Sequence, residues 1–481
     1  MRKYRIVAGG LLAGSMIAGC AVGPEYRVPV PDVGETFAAE QGDQSFDATA
    51  EQQFWRGFDD PLLAQLVRQS LDANQDIRAA VSRYQRAASL LQLARREQLP
   101  GVTAAASAGE SQPALVDDPD GNRRERYEAG IALDWELDLF GRLQRASEAQ
   151  RARLQAAEAD LGALQVSMIG ELAASYFELR GLQQQLLVAQ GNVDNLRDSL
   201  DIVEARLAAG RGTELDRSRA QAQLAQTRAA IPELQGAIRV RMHRIAVLSG
   251  QQPAALVDRL QPAAGLPQSQ PAIPAGSPVD LLRRRPDVRA AERRLAAATA
   301  DVGIVTADLF PRLTLGALLG SVAGDSGKLF SGPAESRSVA LGVDWSFLNR
   351  GRVRARIDAA GAEARAALAD YRQSVLNALE ETENSLVQHR RNRERAMQLR
   401  HARSAAQRAE QLARARYDEG LSSYFEVLDA QRQANAARDA EVRGHTAEVV
   451  SMVSVYRALA GAPAPAAHYA QNQGASQPPL P

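Results

Sequence analysis

From Leu143 to Ala209 the chain contains no proline and only scattered glycine, and its apolar residues recur at helical spacing. As one helix, this segment would be ~100 Å long at a rise of ~1.5 Å per residue. No globular core buries a helix of that length, so it must find neighbours along its whole extent. The same demand arises from Gly351 to Glu419. Gly210 and Gly212 stop the first run and Gly420 the second. Helix is expected to resume from Thr213 to Val247, interrupted only by Pro232, and from Ser423 to Leu459. A chain with these segments builds a rod or a wall, and its wealth of Ala, Leu, Gln and Arg suits long helices.

The chain is internally duplicated. "NQDIRAAVSRYQRAASLLQLARREQLPGVT" from Asn74 matches "RPDVRAAERRLAAATADVGIVTADLFPRLT" from Arg285, and "LDWELDLFGRLQRA" from Leu133 matches "VDWSFLNRGRVRAR" from Val343. "ARLAAGRGTELDRSRAQ" from Ala205 likewise matches "ARYDEGLSSYFEVLDAQ" from Ala415. All pairs share an offset of about 210 residues, far longer than a solenoid unit. Each copy is expected to run helix, strand, strand, very long helix, helix, the first helix lying near Pro61 to Gln98. A Pro/Ala-rich linker, 251–278, separates the copies.

The strands break the helical pattern. Tyr127, Ala129, Ile131, Leu133, Trp135, Leu137 and Leu139 alternate with Glu128, Gly130, Ala132, Asp134, Glu136 and Asp138, a period of two. One face is apolar, and the other carries four carboxylates with no basic partner. In the second copy Val339, Leu341, Val343, Trp345 and Phe347 alternate with Ser338, Ala340, Gly342, Asp344 and Ser346. With weaker strands after Pro100 and Pro311, the expected spans are 100–111, 126–140, 311–321 and 337–348. Their lengths suit a tilted bilayer crossing. Tyr127, Ile131, Leu133, Trp135, Leu137, Val343, Trp345 and Phe347 are then expected to face lipid. Glu128, Asp134, Glu136, Asp138 and Asp344 are expected to face a water-filled lumen. Only helices and closed barrels satisfy their backbone in lipid, and known membrane barrels need about eight strands, so four per chain must be pooled among copies. Two copies reach that minimum with a side-chain-filled interior, and three or more leave a wet lumen.

The N-terminus carries Arg2, Lys3 and Arg5 ahead of an apolar stretch, Ile6 to Ala18, as a secretory signal does. Its end, Ile17-Ala18-Gly19-Cys20, resembles a bacterial lipobox, in which the cysteine becomes the lipidated first residue. Cys20 is the only cysteine, so an intramolecular disulfide is impossible. Formal charge is balanced, which gives no bulk argument for nucleic acid. His243, His389, His401, His445 and His468 stand apart and form no metal-ligand spacing, so neither an enzyme nor a cofactor or metal site is expected. Two other readings remain open. One is a pair of half-buried hairpins in a soluble domain; the other is a lipid-anchored periplasmic structural or adaptor protein without a pore.

"CAVGPEYRVP", "FWRGFDDPLLAQLV", "WELDLFGR", "LLRRRPDVRAAE", "ADLFPRLTL", "RYDEG" and "VLDAQR" together resemble the TolC-like outer membrane factors, of the NodT/OprM/OprN lipoprotein type. The resemblance spans nearly the whole mature chain. It implies a mainly α protein with a membrane β-barrel: a homotrimer whose twelve pooled strands continue into a long periplasmic α-helical barrel. It also implies an equatorial region built from the linker and chain ends. The implied role is the passive outer-membrane exit duct of a tripartite efflux pump in a Gram-negative cell, exporting small molecules such as antibiotics. The implied partners are a periplasmic adaptor, a proton-driven inner-membrane transporter and outer-membrane lipid.

The turns Arg206–Gly210 and Arg416–Gly420 resemble the family's periplasmic tips. Arg416 and Tyr417 are candidates for gate or tip contacts; the other reading is that they merely finish a helix and pack against its neighbour. A relative carries Asp two residues before the Arg-Tyr pair, where Arg414 stands here, so an acidic ring is not carried over. The expected divisions are a signal peptide 1–19, an N-terminal segment 20–69, repeats 70–250 and 279–461 around the linker, and a polar tail 462–481.

Overall fold

The computed structural model describes residues 21–30, 33–34, 36–37, 57–112, 123–267 and 277–459. The signal segment, Cys20, the tail 462–481 and part of the linker lie outside these residues. The first repeat comprises α1 (Pro61–Ala73), α2 (Gln75–Arg96), β1 (Gly101–Ser111), β2 (Arg124–Leu137), α3 (Arg142–Ala208) and α4 (Glu214–Leu248). One turn of helix, α5 (Val257–Leu260), lies in the linker. The second repeat follows the same order with α6 (Pro278–Arg284), α7 (Pro286–Ala307), β3 (Arg312–Ala323), β4 (Glu335–Asp344), α8 (Arg350–Asp418) and α9 (Tyr424–Leu459). The long helices α3 and α8 have 67 and 69 residues. Among the described residues, no helix is long and apolar enough to cross a membrane.

Three local expectations need correction. The helix expected near Pro61 to Gln98 is two helices, broken at Asn74. There the side-chain Oδ1 accepts from Asp76 N (2.9 Å) and Ile77 N (3.2 Å), while Nδ2 donates to Leu248 O (3.0 Å). A residue with this local capping chemistry competes with the helix ladder. The second repeat breaks at the matching place by another route, because Arg285 precedes Pro286 and is held extended at ψ 120°. Pro232, expected to interrupt α4, lies inside a continuous helix. Its missing N–H removes one bond of the ladder without ending it.

The membrane-strand spans shift as well. β2 ends at Leu137 rather than 140, and β4 ends at Asp344 rather than 348. Asp344 is opposite Arg312, the first residue of β3, and Pro311 before it has no N–H to extend the ladder. Leu139, Trp345 and Phe347 therefore lie past the strands, Phe347 in a 3-10 turn.

The chain forms two compact units. One spans Met1–Val30, Arg83–Glu158 and Ala290–Gln373 and holds an antiparallel sheet in the order β1-β2-β3-β4. The other spans Pro31–Ser82, Ala159–Arg289 and Ser374–Pro481. Its core draws Leu63 and Leu66 from α1, Leu172 and Leu179 from α3, Ile245 from α4 and Leu260 from α5, all fully buried. Each such side chain contributes roughly 1.5–3 kcal/mol. Polar bonds tie the start of α1 and the linker to this core. Tyr176 Oη donates to Asp60 Oδ2 at 2.5 Å, and Arg180 donates to Tyr176 Oη at 3.1 Å and to Pro262 O at 2.7 Å.

Candidate functional site

The sheet is two-faced because its register keeps the period-two patterns of all four strands in phase. In antiparallel pairs, residues directly opposite share a face. Leu133 is opposite Val102 on β1 and Ala317 on β3, and Ala317 is opposite Val339 on β4. Leu137 is opposite Leu313, which is opposite Val343. Tyr127, Ile131, Leu133, Trp135, Leu137 and Val343 thus share one apolar face. Ile131, Leu319, Val339, Leu341 and Val343 are each more than half exposed. The other face is small and polar: Glu136 is opposite Thr314, Thr314 is opposite Gly342, and Gly130 is opposite Gly320. Glu128, Asp134 and Asp344 belong to it by the same parity. Leu318 and Val322 are its apolar exceptions.

The expectation that the carboxylates lack basic partners is overturned. Arg142 grips Glu136 through two bonds of 2.8 and 2.6 Å, and Arg126 pairs with Glu128. Arg126 stands two residues before Glu128, so strand periodicity puts them on one face, a signal readable in the sequence. Asp138 is not on the strand at all. Its Oδ2 accepts from Gln144 N at 2.8 Å and caps the start of α3. Among the described residues, Asp134 and Asp344 have no ion-pair partner, so they carry the polar face's uncompensated charge.

The strand-to-helix junction is rich in rings. Trp135 Nε1 donates to Gln98 O at 3.1 Å, and its counterpart Trp345 donates to Leu309 O at 3.0 Å. Phe140 stacks on Phe310 at 4.7 Å, and Trp345 meets Phe347 at 5.4 Å. Val22 N donates to Phe140 O at 3.1 Å, which lays the segment after residue 20 across this junction. Gly141, at φ 76°, gives it room, since a Cβ there would stand 2.5 Å from the Ala21 side chain.

The two glycine turns close α3 and α8 in the same way. Gly210 (φ 71°) and Gly420 (φ 75°) are left-handed. Arg211 N bonds to Arg206 O, and Leu421 N to Arg416 O, both at 2.8 Å. These are Schellman closures, which satisfy carbonyls that a helix end leaves free. The turns also share a ring contact: the Arg206 guanidinium lies 3.9 Å from the Tyr417 ring centroid, and Tyr417 meets Tyr424 edge-on at 5.1 Å. Tyr424 Oη donates to Ser199 O at 3.0 Å. Tyr417 is buried and its hydroxyl has no hydrogen-bond partner among the described residues. Burial pushes its pKa up, while Arg206 opposes the shift. Arg416 is exposed. The structure therefore brings Arg206 and Tyr417 together and leaves Arg416 outside; Tyr424 and Ser199, not anticipated from sequence, complete the cluster.

A family model described as outer membrane efflux protein matches residues 66–251 and 278–461, one segment for each repeat. Nodulation protein T of Rhizobium leguminosarum bv. trifolii is 30% identical over 88% of this chain and 91% of its own length. The solvent efflux pump outer membrane protein SrpC of Pseudomonas putida is 30% identical over 93% of this chain and 96% of its own. Among solved structures, the outer-membrane channel OprN is similar at a TM-score of 0.84 and 42% identity, covering 92% of this chain and 99% of that one. The open state of the MtrE outer membrane channel of Neisseria gonorrhoeae aligns at a TM-score of 0.82 and 25% identity, covering 92% and 99%.

Proposed function

From the premise that this chain belongs to the outer membrane efflux protein family, we propose that three copies close their sheets into one twelve-stranded barrel, the exit of an efflux duct. The observation that carries the stoichiometry is the open sheet: β1 and β4 are unpaired edges, and the apolar face between them is exposed. An open edge has no place in lipid. β4 runs antiparallel to β1, so β4 of one copy can pair with β1 of the next around a closed ring. Two copies would fill their interior with side chains, whereas the polar face wants water, and twelve strands leave room for it.

In this assembly Tyr127, Ile131, Leu133, Trp135, Leu137 and Val343 face lipid, with Trp345 and Phe347 at its boundary. Glu128, Asp134, Glu136 and Asp344 line the lumen. Arg206, Gly210, Arg416, Tyr417 and Gly420 form the periplasmic tip that meets an adaptor, which in turn joins a proton-driven inner-membrane transporter. Cys20 carries the lipid anchor. Relatives are named for solvent, toluene and pyoverdine efflux, and the cargo of this chain is of the same broad class, small organic molecules including antibiotics. The test is an SDS-resistant oligomer with heat-modifiable migration, together with conductance in planar bilayers. A Cys20→Ser protein that is a water-soluble monomer without conductance would overturn the channel and favour a pore-free periplasmic lipoprotein.

A further inference from the structure

The two strand-to-helix junctions of the duplicated chain differ in charge. In the first repeat the arginines are neutralised: Arg142 by Glu136, and Arg145 by Glu148 at 2.8 Å. The repeat alignment sets Arg350, Arg352 and Arg354 against Phe140, Arg142 and Gln144, and replaces Glu136 and Asp138 with Ser346 and Leu348. Arg356 reaches Asp308 at 3.9 Å. Arg350, Arg352 and Arg354 are exposed and have no ion-pair partner among the described residues. The first turn of α8 also holds no acidic residue, although cations at a helix N-terminus oppose its dipole. Local helix stability does not explain these arginines.

Their sides can be assigned. Val353 is buried, and at 100° per residue Arg350 and Arg354 flank it on one side, with Arg352 and Arg356 on the other. Arg142, the counterpart of Arg352, meets Glu136 of the polar face. Arg356 meets Asp308, which also holds Arg312, opposite Asp344. Arg352 and Arg356 therefore belong with the polar face, and Arg350 and Arg354 with the apolar one. Next to them in the chain, Trp345, Phe347 and Leu348 are 52%, 54% and 85% exposed. Pairing β4 with the next copy's β1 brings up the end of α2, where Arg95 and Arg96 outnumber the one carboxylate, Glu97.

We infer that Arg350 and Arg354 bind the phosphates of anionic phospholipids in the leaflet on the helical side of the barrel. Trp345, Phe347 and Leu348 enter the acyl layer beside them. The inference rests on the barrel reading above. Guanidinium binds phosphate through two parallel bonds, and aromatic rings favour the interfacial level of a bilayer. This surface places both chemistries side by side.

The test adds phosphatidylglycerol or phosphatidylcholine to the purified full-length oligomer and counts bound lipid by native mass spectrometry. Wild type should retain phosphatidylglycerol in preference to phosphatidylcholine. Arg350→Gln/Arg354→Gln should bind it about thirty-fold more weakly, the change expected for two surface arginines. Arg352→Gln, on the polar side, should bind as wild type does. Equal retention of both lipids by wild type, or undiminished phosphatidylglycerol binding by the double variant, overturns the proposal. Displacement by millimolar inorganic phosphate also overturns it, because the site would then be one for free phosphate. Conductance in pure phosphatidylcholine bilayers is the separate control: its absence in wild type would refute the barrel, and its presence in the double variant shows that the variant has folded.

Discussion

Replacing Tyr417 by Phe separates two roles for the ring cluster at the two glycine turns. The hydroxyl is buried without a partner, and an unsatisfied buried hydroxyl costs about 1–3 kcal/mol. Phe removes that cost and keeps the ring, with its contacts to Arg206 at 3.9 Å and Tyr424 at 5.1 Å. Phenylalanine attracts a cation slightly less than tyrosine does, so the expected net gain is about 1 kcal/mol, or about fivefold in the local opening equilibrium. Tyr417→Leu loses both ring contacts, at about 0.5–1.5 kcal/mol each, and loosens the two turns instead. Amide hydrogen exchange of segments 200–213 and 411–424 in the assembled protein reads both changes. Slower exchange in the Phe variant, with unchanged bilayer conductance, is the expected result. Faster exchange or raised conductance would mean that the hydroxyl bonds across copies and holds a gate, and would refute the reasoning.

Arg285→Ala should lower the temperature at which the SDS-resistant oligomer dissociates. It strips Asp287, Glu381 and Ala458 O of a buried guanidinium that meets them at 2.7–3.0 Å. The expected cost is about 3 kcal/mol, near the low end for a broken buried pair because Glu381 keeps Arg457. His389 supplies a pH dependence. Burial holds its pKa below the usual imidazole value; Glu448 pulls it back up in part, and Arg393 adds a smaller downward push. The unfolded chain takes up the proton near pH 6.5, while the fold resists it to lower pH. Stability is therefore full above about 6.5 and falls as pH drops toward the folded value, and His389→Gln should flatten that slope in thermal melts. Finally, Trp135 and Trp345 should be quenched by brominated lipids in reconstituted protein, and unquenched emission from both would count against a lipid-facing junction.

Patterns with a strict period were legible. The strand parity that puts Leu133 and Val343 on one face, and the glycines that end α3 and α8, follow from local spacing alone. Ladder ends were less so: Trp345 continues the alternation, yet β4 stops at Asp344 because of a proline thirty-odd residues upstream. Partnerships made across the strand-to-helix junction were hidden. Arg142 bonds back to Glu136, and Asp138 leaves the strand to cap a helix, on either side of the left-handed Gly141. The meeting of Arg206 and Tyr417 joins residues 211 positions apart, and no short-range signal encodes it.

The duplication has an evolutionary consequence. Because β2 pairs with β3, the two halves are stitched within one polypeptide and inherited together, yet each position exists in two separately mutable versions. The helix break solved by an asparagine cap at 74 and by a proline after 285 shows that drift under a common architecture. A homo-oligomer of single repeats would have to change every copy of a residue at once. A tandem gene can instead alter one version and keep the other as backup, so novelty at one glycine turn or one strand-to-helix junction need not be matched in the other repeat.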